Sequence, residues 1–548
     1  MNKLEKDLKI AIKEAVLNNY SLNIEHEDIV IEIPKDTSHG DYATNTAMRI
    51  CKQVSDNPRN VALKIVEDIV KNNEFISDAS VAGPGFINFK IASTAMSNII
   101  KQVLIEGKDY GNNDEGKNKK VLVEYVSANP TGDLHLGHAR GAAWGDSVTR
   151  IMKKAGYDVC REFYVNDAGN QINNLGLSLI SRYNELFGIE IKMPEDGYFG
   201  EDVKNIALIM KDLYKDKYVN DLSDDTQLFF KKEGIKYELE KLKKDLENFR
   251  VDFDVWTSEQ SLHDDNKVEQ ALEELSKLNQ TYEKDGAIWF NSMKYGDDKD
   301  RVLKKSDGSY TYLVPDIAYH ISKLKRGYTK LINFWGADHH GYIPRIKAAL
   351  QALGYDKDAL EVDIIQMVRL VKDKQEVKMS KRTGNAITVR ELCEEVGIDA
   401  ARYFFVQRAV DTHFDFDIGL AKSQSNDNPV FYAQYAHARI CSILNQCSEY
   451  EDATNYDLIT HEKEVVLLKY INEFTNVVIE AANTRAPHKI CNYIQKLAAS
   501  FHSFYGACKV NDLDNKVLSS QRIALLKATK ITLSNALDLI GVEAIDRM

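Results

Sequence analysis

Two clusters in this sequence have residue types and neighbours suited to handling phosphate. The first is His135-Leu136-Gly137-His138, where an apolar strand pattern gives way to helical periodicity. A helix N-terminus exposes unpaired N–H groups and positive potential, which favours an anion there. Gly137 has no side chain to obstruct a flat ring approaching the backbone. His135 and His138, three residues apart, share one helix face and can donate to phosphate oxygens as charge builds in a transition state. Alone, the string also fits two histidines at an ordinary loop–helix junction. The second cluster, Lys378-Met379-Ser380-Lys381-Arg382, lies about 240 residues later in KDKQEVKMSKRTGNAIT, after a run that reads as a strand. Ligands bind at the carboxyl ends of strands in open α/β sheets, and a cationic loop there can close on the outer phosphates of a nucleotide. A charge run of this kind also fits a plain solvated loop. The two clusters together, in this order, are far more specific than either.

The elements that must position these residues follow from periodicity. Residues 121–123 form a buried-strand run and 136–152 carry helical spacing, so strand, loop and helix open a βαβ unit of a doubly wound parallel sheet. Further strand-like runs are LINFW (331–335) and VDIIQMVRLV (362–371), with a helical pattern between them. Upstream, Leu4, Leu8, Ala11, Ile12, Ala15 and Val16 recur at helical spacing. IVIEIP (29–34) alternates like a strand, a helix follows near 61–70, and a Gly-Pro-Gly turn (83–85) precedes the strand FINFKI. GNNDEGKNKK (111–120) has no apolar residue and reads as an inter-domain linker. The polar stretch 185–299 reads as an insertion. It includes a helix with Ile235, Leu239, Leu242, Leu246 and Phe249 in a packing stripe. From 426 onward the pattern is helical, as in a bundle. The expected architecture is multidomain: an N-terminal α+β domain (1–112), a Rossmann-like α/β catalytic domain (118–425) with an insertion at about 185–299, and a C-terminal all-α domain (426–548).

Bulk properties exclude some classes. At 548 residues the chain exceeds what one core usually organises. No apolar run approaches the ~20 residues of a membrane span, and charges interrupt the N-terminus throughout, so neither a membrane nor a secretory signal is expected. The 7 cysteines are scattered, with no CxxC pair and no adjacent Cys/His cluster. The expectation is therefore a cytoplasmic chain with no disulfide framework, no structural zinc and no other metal site. A net charge of −12 argues against indiscriminate nucleic-acid binding but leaves room for local basic patches.

HLGH and KMSKR, in this order with an insertion between the halves, resemble the two ATP-binding signatures of the class I aminoacyl-tRNA synthetases. The resemblance implies that His135, Gly137 and His138 bind ATP, and that Lys378, Met379, Ser380 and Lys381 surround its phosphates. His135, His138, Lys378 and Lys381 would then be the catalytic set. Arg382 stands where the generic signature has serine, and both lysines are kept. An arginine substrate would need carboxylates aimed at its planar guanidinium, since paired N–H···O bonds select against lysine. Glu124, at the carboxyl end of the strand before HLGH, and Asp316, four residues after Tyr312, stand at suitable places. By spacing alone, both also fit surface or capping carboxylates.

The segments VEYVSANPTGDLHLGHARGA, FYVNDAGNQI, GYFGED, SDGSYTYLVPDIAYH, FWGADHHGYIPR and ARYFFVQRA look like the arginyl branch specifically. That resemblance implies Glu124 and Asp316 on the guanidinium with Tyr312 beside it, and Ser127, Asn129 and His135 on the amino and carboxyl groups. Either Asp338 or His339 would line the pocket floor. Asn166, Asp167 and Gln171 match a motif of the branch without an assigned role. In NPVFYAQYAHARI, Tyr432, Tyr435 and Arg439 fall at i, i+3 and i+7 on one helix face. Such a face can stack splayed bases, although a Tyr/Arg stripe is more often packing. A similar segment of the branch contacts the anticodon loop, which makes Tyr432, Tyr435, Arg439, Tyr493 and Met548 candidate tRNA residues. HGDYATNTA and GPGFINFKI resemble the branch's extra N-terminal domain, with Phe86 and Asn88 as candidate base contacts. The implied reaction is activation of L-arginine with Mg2+–ATP and transfer to tRNA(Arg), the first step requiring bound tRNA.

Rival readings differ in what they need. A cysteinyl-type synthetase needs a zinc pocket that the scattered cysteines do not suggest. A silent RNA-binding paralogue would have no use for intact HLGH and KMSK strings. A small nucleotidyltransferase would have no use for the helical C-terminal region. With no heptad seam or large apolar stripe, a monomer is expected.

Overall fold

Helix α1 (Lys3–Tyr20) forms where the sequence predicts it, with Asn2 capping by accepting from the Glu5 N–H and the stripe from Leu4 to Val16 buried. It opens the computed structural model, which describes residues 1–34, 36, 39–372, 375–377 and 387–548. The Lys378–Arg382 cluster therefore lies outside the described residues. Strands β1 (Ile31–Glu32) and β2 (Tyr42–Thr44), helices α2 (Thr46–Ile50) and α3 (Pro58–Asn72), and strands β3 (Ile76–Ala82) and β4 (Phe86–Ile91) complete a four-stranded antiparallel sheet backed by helices. The strand expected at 29–34 is cut to two residues, because Pro34 cannot donate to a ladder. Helix α4 (Ser93–Glu106) leads into residues 111–119, which are irregular but pinned: the Gly116 N–H donates to the Ala155 carbonyl at 2.8 Å.

The central sheet is five-stranded and parallel, of order β12-β11-β5-β6-β7. Strand β5 (Lys120–Glu124) is followed by α5 (Leu136–Lys154), β6 (Asp158–Val165), α6 (Asn170–Glu185), α7 (Glu201–Tyr214) and α8 (Asp224–Asn248). The chain then returns to the sheet with β7 (Val255–Ser258), which pairs with β6. The stretch 185–299 is thus not one insertion, as expected from its polarity, but two excursions divided by a core edge strand. The short VWTS segment has no long apolar run to announce it. On α8, Leu242, Leu246 and Phe249 are buried as expected, while Ile235 and Leu239 are only partly covered.

Beyond β7 come α9 (Glu259–Asp264), α10 (Lys267–Lys277), and a small antiparallel sheet of β8 (Thr281–Lys284), β9 (Ala287–Phe290) and β10 (Arg301–Lys304). Helix α11 (Leu313–Lys325), β11 (Lys330–Gly336), α12 (Ile343–Ala352) and β12 (Leu360–Ile365) close the core sheet. The single run expected at 362–371 is two strands in two sheets. After Gln366, whose N–H bonds to Val410, β13 (Val368–Lys372) pairs with β14 (Gln375–Glu376) and with β15 (Phe414–Asp417). Helices α13 (Val389–Val396) and α14 (Ile398–Val406) precede β15, and α15 (Ile418–Lys422) follows it. The last part is helical as expected: α16 (Pro429–Gln446), α17 (Glu462–Thr484), α18 (His488–Ala507) and α19 (Lys516–Asp538). Among the described residues no helix is long and apolar enough to cross a membrane.

Two fully buried arginines staple these parts. Arg140 on α5 donates to the carbonyls of Gln366, Ala409 and Thr412 at 2.7–3.0 Å, docking the ends of β13 and β15 against the helix. Arg402 on α14 pairs with Asp146 of α5 at 2.5 Å and also donates to the carbonyls of Phe249 and Ile540.

Candidate active site

The loop after β5 turns sharply. Val126 and Ser127 have φ of +71° and +38°, a region costly for any side chain and especially for a β-branched one. The turn aims Ser127 Oγ back at Glu124 Oε1, 2.9 Å away. Tyr125 sits flat over α5, where a Cβ on Gly145 would lie only 2.3 Å from its ring. Glycine is therefore required for helix and loop to approach this closely.

Beside the loop, at the carboxyl ends of β5, β6, β7 and β11, is a cavity of about 540 Å³. Its floor is acidic. Glu124 is buried and held at both oxygens: Lys323 Nζ and Asn333 Nδ2 donate to Oε2 at 2.5 and 2.9 Å, and Ser127 to Oε1, which keeps room for one further donor. Lys323 is itself completely buried, so it neutralises Glu124 within the protein. Asn333 donates as well to His320 Nε2 at 3.0 Å, and His320 Nδ1 donates to the Asp316 carbonyl at 2.8 Å. This arrangement needs a neutral imidazole, and burial and then Lys323 push the His320 pKa down to about 3. Asp316 has the opposite problem. Burial, with Glu259 and then Glu124 as neighbouring charges, raises its carboxyl to about 8. Glu259, the first residue of α9, also lines the cavity and is raised by burial and by Asp167. A cavity with these uncompensated carboxyls on its floor will take a cation.

The HLGH string forms the end of α5, with His135 as N-cap. The imidazoles stack at 3.9 Å between centroids. His135 Nδ1 accepts from the Gly137 N–H at 3.2 Å, and His138 Nδ1 accepts from the His135 N–H at 3.3 Å. Both Nδ1 atoms are thus acceptors, which leaves the ring protons on Nε2 as outward donors. Burial lowers both pKa values, that of His138 to about 3, so the pair is neutral. The cationic cluster is outside the described residues, but its flanks are fixed. The Val377 N–H bonds to Leu370, while on the far side Thr388 bridges His135 and the Val389 N–H bonds to the Leu134 carbonyl at 2.8 Å. Arg390 continues the anchor onto Asp245 of α8 with bonds of 2.8–3.1 Å.

The cavity gathers Glu124, Ser127, Asn129, Tyr312, Asp316 and His339. Tyr312 is at the rim, 83% exposed. Of the two alternatives after β11, His339 lines the cavity, whereas Asp338 points outward with an 80% exposed side chain. His135 caps the helix and is not among the cavity's lining residues. Asp167 accepts from Ser258 Oγ and the Gln260 N–H at 2.6 and 2.9 Å, fastening the β6 loop to the start of α9. Asn129 donates to Gln171. Sequence reading missed Glu259 and Lys323. Glu259 follows a strand too short to recognise, and Lys323 has the sequence surroundings of any basic residue near a helix C-terminus.

The family models for the arginyl-tRNA synthetase N-terminal domain, the class I (R) tRNA synthetase catalytic domain and the DALR anticodon binding domain match residues 2–91, 99–412 and 433–548. The arginine–tRNA ligase of Bacillus subtilis (strain 168) is 55% identical over all of this chain and 98% of that relative. The chain belongs to the arginyl-tRNA synthetase family. The Bacillus licheniformis member is also 55% identical, over 99% of this chain and 98% of the relative. Among solved structures, a Campylobacter jejuni arginyl-tRNA synthetase structure with 37% identity superposes with a TM-score of 0.77, covering 84% of this chain and all of that one. The Thermus thermophilus arginyl-tRNA synthetase, 22% identical, shares the fold over both full chains with a TM-score of 0.76. A class I catalytic domain, an N-terminal domain and a C-terminal DALR helical domain are thus present.

In that helical domain, Tyr435 on α16 is exposed, while Tyr432 and Arg439 on the same face are half-buried and Tyr432 also packs against the core. Phe431 stacks on Tyr435 at 6.2 Å, and the Arg439 guanidinium lies 4.8 Å over Tyr505. His502 joins them, 5.2 Å from Tyr432 and 5.9 Å from Tyr435. Tyr493 does not belong with this group. It is 3% exposed, stacked on Phe474, with its hydroxyl donating to the Tyr470 carbonyl. A tyrosine in a helical domain is as often core as surface, and α18 buries this one. Met548 is 57% exposed, Asn88 half-buried and Phe86 at the surface, while Phe89 is core.

Proposed function

We propose that the acidic cavity binds L-arginine and that α5 binds ATP, so that the chain catalyses the two steps of an arginine–tRNA ligase. The observation that carries the reading is the Asp316–Glu259 floor beside a helix N-terminus whose two imidazoles present Nε2–H donors. Asp316 and Glu124 accept from the guanidinium, with Tyr312 above them and His339, rather than Asp338, on the floor. Ser127 and Asn129 hold the amino and carboxyl groups from the cavity wall, and His135 is assigned to the same groups from the end of α5. Glu259 is the third carboxylate, supported by its place on the cavity wall.

Mg2+–ATP enters as a substrate, its adenine over Gly137 and its phosphates on His135 and His138. Lys378 and Lys381, with Met379 and Ser380 between them, lie outside the described residues and are the cations assigned to the outer phosphates. The far flank supports this, since Thr388 bridges His135 and the Val389 N–H bonds to the Leu134 carbonyl. The arginine carboxylate oxygen attacks the α-phosphorus, and the bond to the bridging oxygen breaks as pyrophosphate leaves. A hydroxyl of the terminal tRNA ribose then attacks the acyl carbonyl, forming the ester and releasing AMP. Positioning and electrostatic stabilisation supply the rate. Tyr432, Tyr435 and Arg439 stack anticodon-loop bases, Met548 joins them in contacting the tRNA, and Asn88 contacts the outer part of the tRNA. The working units are 1–112, 118–425 and 426–548, in a cytoplasmic monomer.

ATP–pyrophosphate exchange with several amino acids, with and without total tRNA, tests this. Exchange with arginine alone, and only with tRNA present, is expected. Exchange driven by another amino acid would overturn the assignment of Asp316 and Glu124.

A further inference from the structure

We propose that His437, Cys441 and Asp546 form a binding site for a thiophilic divalent transition-metal cation, of the zinc kind, which joins the C-terminal tail to α16. His437 and Cys441 are four residues apart on one face of α16, and the tail lays Asp546 across them. Cys441 Sγ lies 3.1 Å from Asp546 Oδ1 and 3.7 Å from His437 Nδ1, and the last two atoms are 3.9 Å apart. A triangle with these sides has a point about 2.1 Å from every corner, close to the bond lengths zinc makes with imidazole, carboxylate and thiolate. The ligand atoms therefore need to move only by tenths of an ångström. The Ile545 carbonyl oxygen, 2.9 Å from His437 Nδ1, is at hand as a fourth donor. Imidazole and thiolate together favour zinc-like cations over magnesium or calcium.

The surroundings fit a site that exchanges its cation. His437 and Cys441 are buried, while the Asp546 side chain is 70% exposed and gives the way in. Without metal, an ammonium stands there: Lys530 Nζ is 3.3 Å from Asp546 Oδ1. The incoming cation displaces it, and Lys530, half-exposed, swings to solvent. Cys441 releases its thiol proton as the metal–sulfur bond forms. The proton of the His437 ring moves from Nδ1 to Nε2, and Nε2 has no hydrogen-bond partner to lose. Metal affinity must accordingly rise with pH. Asp546, Lys530, Cys441 and His437 are the groups whose charges meet in this cluster.

Cobalt(II) titration of the untagged, chelator-treated full chain, read by near-ultraviolet and visible absorption, tests the site. A thiolate-to-cobalt charge-transfer band is expected, abolished in Cys441→Ser and weakened at least about tenfold in affinity in Asp546→Asn. Lys530→Met removes the competing ammonium and is expected to tighten cobalt by about tenfold. The metal-free circular dichroism of each variant establishes that it is folded. Should Cys441→Ser fail that check, the two surface variants carry the test. No thiolate band in the wild type, or an equal band in Cys441→Ser, overturns the proposal, as does unchanged affinity in both Asp546→Asn and Lys530→Met.

Discussion

Asp316 carries a proton in the empty cavity at neutral pH, because its carboxyl titrates near 8. A guanidinium binds the ionised form, so arginine binding must release that proton. Below about pH 8 the cost of ionisation falls as pH rises, and above it the carboxylate is already formed. The dissociation constant for arginine, measured by calorimetry in the presence of tRNA, should fall as pH rises from 6.5 towards about 8 and then level off. Asp316→Asn should weaken arginine by roughly 10- to 100-fold and flatten this profile, as loss of a charge-assisted bond requires. Folding stability should respond with the opposite sign. The native carboxyl holds its proton where the unfolded one has lost it, so wild type loses stability as pH rises from about 4 to 8. Asp316→Asn, having nothing to ionise, should lose less. The place of HLGH at a helix N-terminus was legible from periodicity, whereas Asp316 stood out only by resemblance, its spacing fitting a surface carboxylate equally well. Lys323 was not legible, since only the fold brings its ammonium to Glu124 across 199 positions of sequence.

At the scale of elements, the α5–β5 contact and the face of α16 make separate claims. Gly145→Ala places a methyl into Tyr125, and loop and helix must part to admit it. An overpacking cost of about 1–3 kcal/mol is expected, visible as a lowered urea midpoint, with arginine affinity falling as Ser127 shifts. On α16, Tyr435→Ala should weaken tRNA roughly 10-fold or more at constant salt, one stacked base being worth about 1–3 kcal/mol. Tyr493→Phe should leave tRNA affinity unchanged and lower only stability. Equal losses in the two variants would sink the assignment of this face. Helical spacing put Tyr432, Tyr435 and Arg439 on one side of α16. No such argument was available for Tyr493, whose neighbours on α17 are unknown until the helices pack. Strand β7 was missed for a related reason: four half-buried residues at a sheet edge show neither a long apolar run nor clean alternation.

For the whole molecule, Arg402 is a buried joint between the catalytic and helical parts, beside bonds such as Arg485 to Asp363 and Gln434 to Asp399. Removing its charge while Asp146 remains buried leaves an acid with only Arg150 for company. Arg402→Met should cost about 3–5 kcal/mol, measured as a drop in the denaturation midpoint together with increased proteolysis. Exchange activity and tRNA binding should then fail together. A variant that lost one and kept the other would show that the parts are not joined there. Arg402 also fixes an order of events. One of its partners, the Ile540 carbonyl, lies 138 residues further along the chain. A ribosome adding about 5–20 residues per second reaches that partner roughly 7–28 s after making the arginine. Throughout that interval the nascent polypeptide has a guanidinium without its full complement of acceptors, and the surfaces around it stay open to chaperones.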